Sequence, residues 1–359
     1  MGGPQDRHAR FQTIRAGNLT VEFPPRHRTK VAIWLFVICA MIFAMIVLGG
    51  ATRLTGSGLS IMEWAPIMGT LPPMSETEWQ RLFALYQHIP QYELLNKGMG
   101  LEGFKHIFLL EYLHRLWGRL LGVAFLLPLL GFIAVGAIPR RFIPRLLLLF
   151  VLGGLQGAVG WFMVASGFLA DSVAVEPARL VAHLMLALLL YGVLLWTALG
   201  VLHPTSLPNP SRTVRNWSIA TVVLICITIP AGGFVAGLHA GLDYNTFPLM
   251  DGQLVPAGYA QLQPFWRNPL ENIAAVQFDH RVLATLTLIV ATLTAIFGRR
   301  AKIAPRAMAL LALAALMQYA LGVVVLLHVV PVPEAVAHQG MAVMLLTAAL
   351  IALHPQRRI

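Results

Sequence analysis

Apolar residues in this chain run in long blocks instead of alternating with polar ones. Eight blocks stand out, at roughly 31–50, 107–135, 146–167, 179–201, 217–237, 273–297, 307–330 and 335–353. A helix of about 20 apolar residues crosses the hydrocarbon core of a bilayer. Helices satisfy their own backbone there, so runs of this length predict helices and not open sheets. The expected fold is therefore an all-α membrane protein with eight transmembrane helices. Spans two, three and four follow one another on short connectors, whereas the first connector, from about residue 55 to 105, is long for a loop. Within it, Ser75-Glu76-Thr77-Glu78 has the form of a capping box. Trp79, Leu82, Phe83 and Tyr86 then follow at helical spacing. That pattern predicts an amphipathic helix lying on the membrane surface.

The eight runs fall into two sets of four. Gly49-Gly50 through Ser60 is echoed by Gly232-Gly233 through Asp243. Trp64-Ala65-Pro66-Ile67-Met68-Gly69 is echoed by the segment from Asn245 to Gly252. Glu111-Tyr112-Leu113-His114-Arg115 pairs with Gln277-Phe278-Asp279-His280-Arg281. Leu155-Gln156-Gly157-Ala158-Val159-Gly160 pairs with Met317-Gln318-Tyr319-Ala320-Leu321-Gly322, and Val181-Ala182-His183 with Val336-Ala337-His338. Because four is even, both copies have the same orientation in the membrane. The prediction is two tandem four-helix bundles related by a pseudo-two-fold along the membrane normal. The expected division is a tail at 1–30, an N-terminal half at 31–205 and a C-terminal half at 206–359.

Charged residues are 11% of the chain and hydrophobic ones 57%, where a soluble domain carries about 25% charged. The net charge of +11 could suggest nucleic acid, but its distribution excludes that. Lys and Arg gather in the N-terminal tail (Arg7, Arg10, Arg15, Arg26, Arg28, Lys30), and again at Arg140, Arg141 and Arg145 and at Arg212 and Arg215. They recur at Arg299, Arg300, Lys302 and Arg306 and at Arg357 and Arg358. These are alternate loops, whereas the acids, such as Glu63, Glu102, Asp171, Glu176 and Glu271, fill the others. The positive-inside pattern predicts cytoplasmic termini in a multi-pass inner-membrane protein. No cleavable signal peptide is apparent. Cys39 and Cys226 both sit inside apolar runs, so no loop disulfide is expected and both read as small buried hydrophobes.

Ionisable groups inside a membrane are costly and point to function. Each half has one histidine in its second run and one in its fourth: His114 and His183, then His280 and His338. A lone membrane histidine is ordinarily a hydrogen bond between helices. Recurrence at matched positions turns the reading toward ligands. Zinc takes three or four ligands, and copper also wants more than two. Haem iron takes two axial imidazoles, so one haem per half is predicted. Arg115, Arg119 and Arg281 are placed to meet haem propionates; snorkelling at the interface is the other reading. Glu111 lies three residues before His114, on the same helix face, where the second half has Gln277. A carboxylate can move protons or position water, and an amide cannot, so Glu111 is the candidate reacting group. A hydrogen bond to a neighbouring helix, or pairing with Arg115, would be its structural role. His88, His106, His239 and His328 have no repeat partners or lie in loops, and read as ordinary. Two rival functions are a di-haem b-type electron-transfer cytochrome and a parallel-repeat transporter. The Glu111/Gln277 difference disfavours the first, and the lack of broken helices with acidic midplane residues disfavours the second.

At these residues the chain resembles the haem A synthase family of the cytochrome oxidase pathway, over essentially all of residues 30–355. The long first loop and the absence of loop cysteines are similar to its proteobacterial and mitochondrial branch. The resemblance implies oxidation of the C8 methyl of haem O to a formyl group, giving haem A. The route it implies is two successive hydroxylations through a hydroxymethyl haem and an unstable gem-diol. It implies a haem b cofactor held by His280 and His338 in the C-terminal half, with Arg281 beside it. It implies substrate haem O in the N-terminal half, with His114 and His183 at its iron, Arg115 nearby and Glu111 in the reaction. Implied partners are the haem O synthase, an unidentified electron acceptor and membrane lipid; a homo-oligomer is compatible with the family.

Overall fold

The computed structural model describes residues 23–357 apart from 66, 67, 171 and 208–210. Arg7, Arg10, Arg15, Asp171 and Arg358, used above for topology, lie outside the described residues. Eight helices are long and apolar enough to cross a membrane. They are α1 (Pro25–Leu54), α2 (Leu101–Ala134), α3 (Ile143–Ala165), α4 (Pro177–Leu202), α5 (Arg212–Gly237), α6 (Ile273–Arg300), α7 (Pro305–Leu327) and α8 (Val332–Leu353). No β-strand occurs among the described residues.

Local chemistry sets the ends of these helices. Prolines occupy the first turn of α1, α3, α4, α7 and α8, where the missing N–H costs nothing. Of the tail expected at 1–30, residues 25–30 already belong to α1. Ser211 caps α5 and Asn272 caps α6. α1 stops where Gly56 turns left-handed at φ +67°, and after α5 the matching turn falls on His239 at φ +55°. Pro128 inside α2 removes a helical donor from the carbonyl four residues back. That carbonyl, Ala124 O, accepts instead from Trp34 Nε1 at 3.0 Å, which ties α2 to α1.

Within each set of four, neighbouring helices pack in a ring. α1 meets α2, α2 meets α3, α3 meets α4 and α4 returns to α1; α5 to α8 repeat the cycle. The halves touch through α1–α8, α4–α5 and α4–α8. One apolar core runs across that contact and includes Leu35, Ile38, Leu194, Ala198, Ile225 and Leu346. Lipid is as apolar as these side chains, so close packing and interhelical hydrogen bonds hold the helices together. Thr221–Thr294 and Thr228–Thr287 hydroxyl pairs, each at 2.8 Å, join α5 to α6.

The long first loop folds against the protein. Its helix Glu76–Tyr86 is capped by Ser75, which accepts from Glu78 N at 3.2 Å. The expectation for this helix differs in one respect: it does not lay its apolar face on lipid. Leu82 and Tyr86 are buried with Phe104, Phe108 and Tyr112 of α2. Trp79 meets Phe108 edge-on with ring centroids 5.0 Å apart. This is why α2 starts at Leu101, six residues ahead of the apolar run at 107. Its first turns are buried by protein and not by the bilayer.

Candidate functional site

The four repeat histidines project from four different helices, and each ring rests on a glycine of a neighbouring helix. A Cβ at Gly49 on α1 would lie 3.0 Å from His114 Cε1, and one at Gly160 on α3 would lie 2.8 Å from His183 Cε1. In the second half a Cβ at Gly232 on α5 would lie 2.8 Å from His280, and one at Gly322 on α7 would lie 2.8 Å from His338. Real Cβ atoms avoid such distances, so glycine makes the room for each imidazole. The cradling glycines are themselves repeat partners, Gly49 with Gly232 and Gly160 with Gly322. His114 and His183 stand within electrostatic reach of each other, as do His280 and His338.

All four rings keep their Nδ1 buried. The His280 ring lies within hydrogen-bonding reach of the Thr228 backbone and the His338 ring of the Gln318 backbone, each one turn before the glycine that cradles the ring. Gln156 Nε2 and Gln318 Nε2 approach His183 Nε2 and His338 Nε2 at 3.4 and 3.5 Å, another repeat-matched contact. Among the described residues no three His, Cys, Asp or Glu side chains converge as a metal site, so the zinc-like alternative finds no third ligand. Two imidazoles, glycine-backed and set in apolar helices, fit the axial demands of haem iron.

The residues one turn before the second-helix histidines form a clasp. Glu111 is 3% exposed. Its Oε2 accepts from Ser60 N at 2.8 Å, Ser60 Oγ at 2.7 Å and Ile61 N at 2.9 Å. Its Oε1 accepts from Arg115 Nε at 3.0 Å and Arg115 Nη2 at 2.6 Å. Arg115 also donates to the carbonyls of Ile61 and Glu63 at 2.8 and 3.0 Å, and its guanidinium lies 5.6 Å from the Trp161 ring centroid. Gln277 occupies the matching place with the polarity reversed. Its Nε2 donates to Ala240 O at 2.7 Å and Asp243 O at 2.6 Å. Arg281 donates to Gln277 Oε1, Tyr244 O and Thr246 O at 2.9, 2.6 and 2.8 Å. Each clasp therefore fastens the turn that follows the first helix of its own half. The first does so through a carboxylate that accepts backbone N–H groups, the second through an amide that donates to backbone carbonyls.

Arg115 has its three nitrogens engaged in this clasp, whereas Arg281 keeps a buried Nε without a partner. Arg119 donates to Ala65 O at 2.8 Å and so holds the same loop. Outside the membrane the Arg81 guanidinium keeps the Glu63 carboxyl below its ordinary range, in contacts of 2.8 and 3.1 Å. Glu63 thus links the loop helix, through its side chain, to Arg115, through its carbonyl. His106 is exposed on α2 and has no part in either cluster.

Sequence reasoning missed the role of the cradling glycines and of Ser60. The glycines were visible as repeated residues, but which imidazole each one touches is a property of packing. Ser60 carried no signal, because its repeat partner is Asp243.

A family described as Cytochrome oxidase assembly protein matches residues 32–350. Among curated relatives, a protein named Heme A synthase from Granulibacter bethesdensis is 64% identical over 334 residues, covering 92% of this chain and 88% of that protein. One of the same name from Nitrosospira multiformis is 47% identical over 338 residues, covering 91% and 94%. Another from Rhodospirillum centenum is 48% identical over 328 residues, covering 90% and 87%.

Proposed function

The chain belongs to the COX15-CtaA family of cytochrome oxidase assembly proteins, and from that premise we propose that it is a haem A synthase. It is an oxidoreductase that acts on haem O in the bacterial membrane. The C8 methyl is oxidised to a formyl group by two successive hydroxylations. The observation that carries the reading is the pair of glycine-cradled imidazole sites of matched build, only one of which has a buried carboxylate beside it.

The assignment of the halves follows from that asymmetry. His280 and His338 hold haem b as the resident cofactor, in a half whose clasp residue, Gln277, carries no charge. Haem b supplies one-electron chemistry when bound. Arg281, with one buried nitrogen to spare, is the cation for a propionate. His114 and His183 hold the iron of haem O. Glu111 supplies the buried carboxyl group on the substrate side. Five donor contacts fix the direction of its two oxygens. The Ser60 hydroxyl is the donor that can rotate and pass a proton on. Arg115 acts here as a positioning residue, fixing Glu111 and the 61–63 turn together. The two halves, 31–205 and 206–359, are tandem bundles about a pseudo-two-fold, with both termini cytoplasmic. The haem O synthase delivers the substrate and an acceptor in the membrane removes the electrons.

The division is tested by histidine replacement in purified protein. His280→Ala or His338→Ala removes the low-spin haem spectrum. His114→Ala or His183→Ala leaves that spectrum and stops conversion of haem O. Retention of the spectrum in both C-terminal variants would sink the assignment.

A further inference from the structure

Consecutive glycines on α1 face opposite halves of the molecule. Gly49 packs on His114 of α2, and a Cβ at Gly50 would collide with Gln339 Oε1 of α8. Gln339 directly follows His338. Its Nε2 donates to Ile46 O on α1 at 2.8 Å, one turn before Gly50. The next residue, Gly340, continues the close crossing: a Cβ there would lie 3.3 Å from Val47 Cγ2. Small residues on both helices let the backbones approach closely enough for a side-chain amide to lie along the other helix.

The second half repeats the arrangement without the polar contact. Gly232 packs on His280, and a Cβ at Gly233 would lie 2.9 Å from Val181 and 3.8 Å from Leu184, two side chains flanking His183. Leu184 thus stands where Gln339 stands. Leucine packs but tolerates sliding. An amide buried in lipid must find its acceptor, and so specifies one register of α1 against α8.

We infer that Gln339 is a positioning residue that ties the two histidine pairs together: its amide sets the register of α1 on α8, and through Gly49 it sets the seat of His114. The inference rests on the reading that the pairs hold substrate and cofactor haems. His338 keeps its own seat on Gly322 of α7, so loss of the amide moves the substrate side and spares the cofactor side.

The test uses full-length protein in detergent with haem O supplied, in Gln339→Met and Gly50→Ala forms. Methionine matches glutamine in length without the donor; the added methyl at Gly50 displaces the amide. In both, turnover falls roughly three- to tenfold at unchanged KM, about the worth of one interhelical hydrogen bond. The low-spin EPR signal assigned to His280/His338 stays in place, and the signal from the haem at His114/His183 shifts. The double variant is no worse than the poorer single one, because both remove the same contact. Turnover within twofold of wild type with neither signal shifted overturns the inference, as does loss of the His280/His338 signal in both variants. Wild-type protein that shows no second haem signal with haem O, and no product, would instead overturn the underlying assignment.

Discussion

Glu111 and Gln277 differ by one functional group, and that group makes the two sites unlike. Both side chains do the same mechanical work, closing a turn over the end of a helix. They do it with opposite hydrogen-bond polarity, which is why neither can replace the other for free. Glu111→Gln removes the carboxyl group and sets an amide donor against the Ser60 or Ile61 N–H, or against the Arg115 guanidinium. Leaving a buried donor unmet costs about 1–3 kcal/mol. We expect this variant to keep the low-spin haem b spectrum and to lose formation of haem A; normal product yield would reduce Glu111 to its clasp. The difference itself was legible in the sequence, as was the matched set of four histidines. Of the donors around Glu111, Arg115 was legible one turn along the same helix, and Ser60 was not, because it lies 51 residues away in the chain and only folding brings it near.

At the scale of elements, the apolar runs located all eight spans, since any segment crossing lipid must announce itself by composition. The failure was the surface helix, Glu76–Tyr86. Its amphipathic spacing was correct, but a one-sided apolar face cannot say whether lipid or protein will cover it. Here Phe104, fully buried, covers it, in tilted contacts of 5.3 Å with both Phe83 and Tyr86. Phe104→Ala should therefore loosen the loop by about 3–5 kcal/mol of lost packing. Limited proteolysis would then cut between residues 70 and 100 faster than in wild type while the haem spectrum is retained. Equal cutting rates would mean that the loop does not depend on this cluster. The Arg81–Glu63 tie adds a pH dependence. Because the Glu63 carboxyl is held below its ordinary range, the tie is complete at neutral pH and is lost only as pH falls through that depressed range.

At the scale of the molecule, the two sets of four helices share one continuous core and cross-connect near the imidazoles. The halves are thus expected to unfold together and not as separate domains. The repeat was readable from matched motifs. The contacts between halves were not, since Gly50 and Gln339 carry no sequence pattern that pairs them. The positive-inside pattern predicts an outward-facing loop for the segment that bears Ser60 and Glu63. Protease added to intact spheroplasts should therefore cut within 55–100, and protease added only to the cytoplasmic face of inverted vesicles should not. The chemistry itself is read by mass spectrometry of haems extracted from cells making this chain together with a haem O synthase. Haem A or its hydroxymethyl precursor, appearing only when this chain is present, is the result predicted. Haem B and haem O alone, beside well-folded haem-loaded protein, would contradict it and leave an electron-transfer cytochrome in its place.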